Sequence, residues 1–129
     1  MMNEAAGKKL LIVDDEVEIC EFLKAFFEDH DFKVAIAHNG NDALTNVKEF
    51  APSVALLDIQ MPGMDGLQVL KKIKAEFPKT KVIMVTAVET QDKIEEALRN
   101  GADNYITKPL SLEYLEKDVR EKIASLAGV

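Results

Sequence analysis

Four short apolar runs in this chain each end on a polar residue able to do chemistry. Leu10-Leu11-Ile12-Val13 leads into Asp14 and Asp15, and Val54-Ala55-Leu56-Leu57 leads into Asp58. Val82-Ile83-Met84-Val85 leads into Thr86, and the shorter Tyr105-Ile106-Thr107 leads into Lys108 and Pro109. Continuous runs rich in Val and Ile suit strands buried on both faces, as in a parallel sheet. All C-terminal strand ends of a parallel sheet lie along one edge, where open α/β sheets bind their ligands. The pattern therefore brings Asp14, Asp15, Asp58, Thr86 and Lys108 to one place.

Between the runs the chain reads as helix, which makes the class α/β with a doubly wound sheet. Strands are expected at Lys9–Val13, Phe32–Ala37, Ser53–Leu57, Lys81–Val85 and Asp103–Thr107. Val34 and Ile36 alternate with their neighbours, as on a half-exposed edge strand. Helices are expected at Val17–Asp29, Asn39–Glu49 and Asp65–Phe77. A fourth is capped by Thr90 and ends at Gly101; a fifth is capped by Ser111. Val17, Cys20, Leu23, Phe26 and Phe27 form the inward face of the first helix; Ala43, Leu44 and Val47 form that of the second. Leu112, Leu115, Val119, Ile123 and Leu126 form that of the last. Asp65 followed by Gln68 reads as a capping box.

The 129 residues fit one domain, with an ordered core at about 9–126. No stretch approaches the ~20 apolar residues of a membrane span, and the first residues lack a signal-peptide core, which points to the cytoplasm. The single cysteine, Cys20, sits in an apolar helical pattern and reads as a small core residue. A net charge of −7 argues against a nucleic-acid surface on this domain.

Each strand-end residue has an ordinary structural reading. Asp15 could simply cap a helix, Thr86 could end a strand, and Lys108 could be a solvated lysine. Asp58 resists this, because Pro62, Gly63 and Gly66 delay the next helix. Charge sharpens the argument. Asp14, Asp15 and Asp58 bring three negative charges to the edge, and Lys108 returns one positive charge. The excess is self-repelling at a partly dry edge, and one divalent cation would cancel it. A few oxygen ligands with room for water suit Mg²⁺. Such an ion beside a lysine and a hydroxyl can stabilise a phosphoryl group, and an Asp can accept one as an acyl phosphate.

The chain resembles the response-regulator receiver domains of two-component signalling from about Lys9 to Leu126. The matching pieces are Val13-Asp14-Asp15-Glu16, the stretch from Leu57-Asp58 through Gln60-Met61-Pro62-Gly63 to Gly66, Val85-Thr86-Ala87, and Gly101 through Thr107-Lys108-Pro109. All four occur in order. The resemblance implies a five-stranded, flavodoxin-like sheet in the order 2-1-3-4-5 and a signalling switch rather than an enzyme. Asp58 would accept a phosphoryl group from a phosphohistidine on a sensor histidine kinase or phosphotransfer protein. Asp15, Asp58 and the backbone carbonyl of Gln60 would hold Mg²⁺, with Asp14 acting through a water. Lys108 would pair with Asp58 and then with the phosphoryl group. Thr86 and Tyr105 would carry the switch to the surface of the fourth helix, fifth strand and fifth helix, for an effector or output domain. Gln60 and Val88 would border the water that ends the phosphorylated state. The Lys108–Pro109 bond would be cis. On charge and apolar-run length no direct nucleic-acid or membrane partner is expected, and the expected state is a monomer or phosphorylation-dependent dimer.

Two other readings share parts of this chemistry. A haloacid-dehalogenase-type phosphatase also uses an Asp nucleophile with Mg²⁺, but wants a second Asp where Gln60 stands. A flavodoxin-like FMN binder wants a Ser/Thr/Gly-rich loop after the first strand, where Asp14-Asp15-Glu16 would repel the phosphate.

Overall fold

Each apolar run becomes a strand, and the strands are parallel. In the computed structural model, which describes residues 8–87 and 91–128, they are β1 (Lys9–Val13), β2 (Lys33–Ala37), β3 (Val54–Asp58), β4 (Lys81–Thr86) and β5 (Asn104–Thr107). The sheet order is β2-β1-β3-β4-β5, the flavodoxin-like order that the resemblance implied. Both faces are covered. Leu10, Ile12, Leu56 and Ile106 point to one side, where they pack with Cys20, Leu23 and Phe27 of α1 (Val17–Glu28) and with the last helix. Leu11, Val13, Leu57 and Met84 point to the other. That side is closed by α2 (Gly40–Phe50), α3 (Gly66–Glu76) and α4 (Gln91–Arg99). Each fully buried Leu or Ile contributes roughly 1.5–3 kcal/mol relative to exposure, so continuous apolar strands hold the sheet between its helices.

The helix signals work as their chemistry dictates. Asn39 caps α2 by accepting from the Asp42 N–H. Asp65 and Gln68 form the reciprocal capping box of α3. After α4 the Gly101 N–H donates to Leu98 O and the Ala102 N–H to Ala97 O, with Gly101 at φ +98°. This is a Schellman ending, and its left-handed residue is glycine because a Cβ would be strained there. Ser111 caps the last helix through the Tyr114 N–H. Thr90 lies outside the described residues.

Three expectations need correction. Val17 and Leu112 are 56% and 58% exposed, not inward. Each lies in the first turn of a helix that starts at the C-terminal sheet edge, before the helix axis has come over the strands. Asp103 precedes β5 instead of starting it. Its carboxylate accepts from Lys74 Nζ at 2.7 Å and from the Val82 N–H at 2.9 Å. The last helix is also not uniform. It runs as α5 (Leu112–Tyr114), a π-helical stretch (Leu115–Val119) and α6 (Arg120–Ala127). Its buried residues are Leu115, Val119, Ile123 and Ala127, with Leu126 only partly covered. A four-residue step drifts by about 40° per turn in an α-helix, and the extra residue of a π turn offsets that drift.

Candidate functional site

Strand register brings the strand-end residues level. Val13 pairs with Leu57, which puts Asp14 beside Asp58. Asp58 pairs with Val85, and Thr86 pairs with Thr107. Two backbone bonds carry the ladder one step past the strands: Ile59 N–H to Val85 O at 3.1 Å, and Lys108 N–H to Thr86 O at 2.9 Å. Lys108 is thereby delivered over the edge, and the Lys108–Pro109 peptide is cis.

The lysine ammonium lies among carboxylates. Its Nζ is 2.9 Å from Asp14 Oδ2, 3.2 Å from Asp58 Oδ2 and 3.3 Å from Glu16 Oε1. Asp14 and Asp58 are only 3% and 4% exposed, whereas Asp15 and Glu16 face solvent. Each buried carboxylate also accepts a backbone N–H from two residues ahead. Glu16 N–H donates to Asp14 Oδ1 at 2.9 Å, and Gln60 N–H donates to Asp58 Oδ1 at 3.1 Å. These bonds fix both carboxylates without consuming a second cation.

Burial pushes the Asp58 carboxyl above the ordinary carboxylate range; Lys108 opposes this, and the charge of Asp14 adds to it. Burial would lower the Lys108 ammonium, but its hydrogen bond to Asp14 and the charges of Asp58 and Asp14 outweigh that and hold it above its ordinary value. Lys108 is therefore a fixed positive charge at neutral pH. Under the site, burial, Asp14 and Glu21 push the Cys20 thiol from 9.0 to about 11. It stays protonated and unreactive.

Asp14, Asp15 and Glu16 bring carboxylate oxygens within 4.8 Å of one another. Hard oxygen donors at the mouth of the edge fit a small divalent cation that keeps part of its water shell. Glu16 belongs to this set and was not singled out from the sequence, although it stands in the same acidic run. Asp58 is tied to the set through Lys108 instead of directly. Gln60 is exposed beside Asp58, Thr86 is buried, and Tyr105 of β5 is 37% exposed. Val88 lies outside the described residues. An apolar groove of about 420 Å³ opens beside Lys108, lined by Ile19, Phe22, Ala87, Pro109 and Leu110.

The backbone approach behind Asp58 is equally tight. A Cβ on Gly66 would lie 2.1 Å from the Asp58 carbonyl oxygen and 2.7 Å from Ile59 Cα. Only glycine lets the start of α3 rest on the end of β3, and the Gly66 N–H then donates to Ile59 O at 2.9 Å.

Fold and site together define a doubly wound α/β protein with an acidic, lysine-bridged edge, the arrangement of a signalling receiver. Known proteins agree. The family model of the response regulator receiver domain matches residues 10–120, and the chain belongs to that family. It is 43% identical to the chemotaxis protein CheY of Listeria monocytogenes, over 84% of this chain and 96% of that protein. It is 38% identical to the transcriptional regulatory protein ZraR of Klebsiella oxytoca, over 89% of this chain. The match spans about a quarter of that longer regulator, 26% of its length. A CheY-like receiver domain protein from Methanospirillum hungatei superposes with a TM-score of 0.85 at 32% identity, covering 94% of this chain and 97% of that one. Receiver domains of this kind are signalling switches that work with kinases and output domains, and they bind Mg²⁺ through acidic residues. Among the described residues no helix is long and apolar enough to cross a membrane.

Proposed function

We propose that this chain is a phosphoacceptor switch that takes a phosphoryl group onto Asp58 from a phosphohistidine of a sensor kinase or phosphotransfer protein. The observation that carries this reading is the Lys108 ammonium held between two buried carboxylates, Asp14 and Asp58, at the ligand-binding edge of the sheet. That pairing opposes the upward push of burial on the Asp58 carboxyl, and places a cation where charge must be received.

The chemistry follows from these residues. A carboxylate oxygen of Asp58 attacks phosphorus, the phosphorus–nitrogen bond breaks, and the imidazole leaves with the electron pair. The product adds roughly −1.5 to −2 charges and new acceptor oxygens. Lys108 turns from the carboxylate to a phosphoryl oxygen. The Thr86 hydroxyl moves to donate to another, and Tyr105, now partly exposed, follows it inward. Asp15, Asp58 and the Gln60 carbonyl, with Asp14 and Glu16 beside them, would hold Mg²⁺, which supplies neutralisation of phosphoryl charge. The apolar groove beside Lys108 offers the donor protein a surface next to the site. The altered surface of α4, β5 and the last helix is read by an effector or output domain.

One receiver domain, 1–129, works in this reading in the cytoplasm, as a monomer or a phosphorylation-dependent dimer, assisting only its own phosphorylation and dephosphorylation. A haloacid-dehalogenase-type hydrolase is disfavoured by Gln60 at the position of the general acid. The test is incubation with Mg²⁺ and acetyl phosphate, read by intact mass. One acid-labile phosphoryl adduct is expected on the wild type and none on Asp58→Asn. Full labelling in EDTA, or wild-type labelling of Asp58→Asn, overturns the reading.

A further inference from the structure

The carbonyl of Asp14 is held by side chains, not by the sheet. The β1–β2 ladder ends where the Asp14 N–H donates to Ala37 O at 3.1 Å. A continued parallel ladder would offer the Asp14 carbonyl the N–H of Asn39. Asn39 instead turns away to cap α2. Two side chains reach the carbonyl in its place. His38 Nδ1 lies 3.0 Å from Asp14 O, and Cys20 Sγ lies 3.3 Å from the same oxygen.

A carbonyl oxygen only accepts, so a hydrogen bond at this distance requires the proton on Nδ1. Nδ1 then offers no lone pair to the Cys20 thiol 3.8 Å away, and the S–H also donates to Asp14 O. The two donors occupy both lone pairs of one carbonyl. Together with the Glu16 N–H on Oδ1 and Lys108 on Oδ2, they leave Asp14 no rotational freedom. The clamped carbonyl belongs to the peptide that joins Asp14 to Asp15. Its plane sets where the Asp15 carboxylate projects.

We infer that His38 is a positioning residue: its Nδ1–H clamps the Asp14–Asp15 peptide so that neighbouring carboxylates converge on a divalent cation. This rests on the receiver reading above and extends it to a residue on the β2–α2 connection that touches neither metal nor phosphate. Groups that orient ligands from behind typically change metal affinity by about 10- to 100-fold. His38 is exposed and shares its task with Cys20, so a loss on the order of three- to tenfold is expected for His38→Ala.

Asn can place an N–H where Nδ1 stands, which makes His38→Asn the rescue variant. Mg²⁺ affinity is measured by calorimetry on the whole chain, with denaturant midpoints in EDTA alongside. The expected result is weaker Mg²⁺ binding by His38→Ala, an unchanged metal-free midpoint, and recovery of most of the affinity in His38→Asn. Wild-type affinity in His38→Ala overturns the inference, as does a His38→Asn variant as weak as His38→Ala. A metal-free midpoint that falls along with affinity and is not rescued assigns His38 a merely structural role and overturns it too. These outcomes leave the receiver reading intact. A wild type that neither binds Mg²⁺ nor labels on Asp58 sinks that reading, and this inference with it.

Discussion

Lys108 follows Asp14 by 94 residues, yet its ammonium lies 2.9 Å from Asp14 Oδ2. The same nitrogen reaches Asp58 Oδ2 at 3.2 Å, so one cation serves two buried carboxylates that would otherwise repel. The fold is held partly by the charges that the site needs.

Removing that cation should therefore cost stability before it costs function. Lys108→Ala leaves Asp14 and Asp58 facing each other without compensation. Breaking a fully buried pair costs roughly 3–5 kcal/mol, and the remaining exposure of Lys108 brings the expected loss to about 2–3 kcal/mol in metal-free buffer. Urea midpoints in EDTA check this. An unchanged midpoint would mean that water already screens the two carboxylates.

Asp58→Asn should act in the opposite direction, with a definite pH dependence. Burial, then Asp14, against the pull of Lys108, raises the Asp58 carboxyl above its ordinary range. The native state thus holds this proton more tightly than the unfolded chain. The stability so conferred is full below the unfolded value of about 3.9 and is lost as pH rises through the folded value. Asn mimics the neutral form at every pH. In EDTA the variant should be more stable than wild type at pH 7, and its advantage should shrink below about pH 4. An advantage that is constant across this range, or grows in acid, would refute the assignment.

Gly66→Ala should damage the site from behind. The new Cβ would meet the Asp58 carbonyl, a backbone atom with no rotamer to move. Overpacking of this kind costs about 1–3 kcal/mol, and relief requires α3 to lift from the end of β3. The expected outcome is a lower midpoint together with slower acetyl-phosphate labelling of Asp58. Normal stability and labelling would show that the α3 start is pliable.

The phosphorylated state should be long-lived, and Gln60 should contribute to that. Gln60 stands exposed beside Asp58, with its N–H on Asp58 Oδ1. Its side chain has one more torsion to freeze than Asn before it can align a water. Gln60→Asn should shorten the lifetime several-fold when decay is followed by intact mass after donor removal. Equal decay would release Gln60 from this role.

The sheet was legible because apolar runs with polar ends are a one-dimensional signal. Burial on both faces demands such runs, and the connections force the strands parallel, so Asp14, Asp58, Thr86 and Lys108 had to share an edge. Capping was legible for the same local reason: Asp65, Gln68, Ser111 and Gly101 act on backbone groups within a few residues. The strand order came from resemblance, since periodicity says nothing about which strands are neighbours.

What the tertiary structure alone decided depends on distances between remote atoms. Periodicity placed Val17 and Leu112 on inward faces, but only the docking of the helices shows that their first turns overhang the edge. The π turn at Leu115–Val119 answers a core contour that has no local code. Glu16 joins the carboxylate set, and Lys108 bridges Asp14 as well as Asp58, because side-chain reach at a crowded edge is settled by packing. His38 gave no sequence signal at all. Its part follows from where the β1–β2 ladder runs out and a side chain must satisfy a carbonyl that no neighbouring strand can reach.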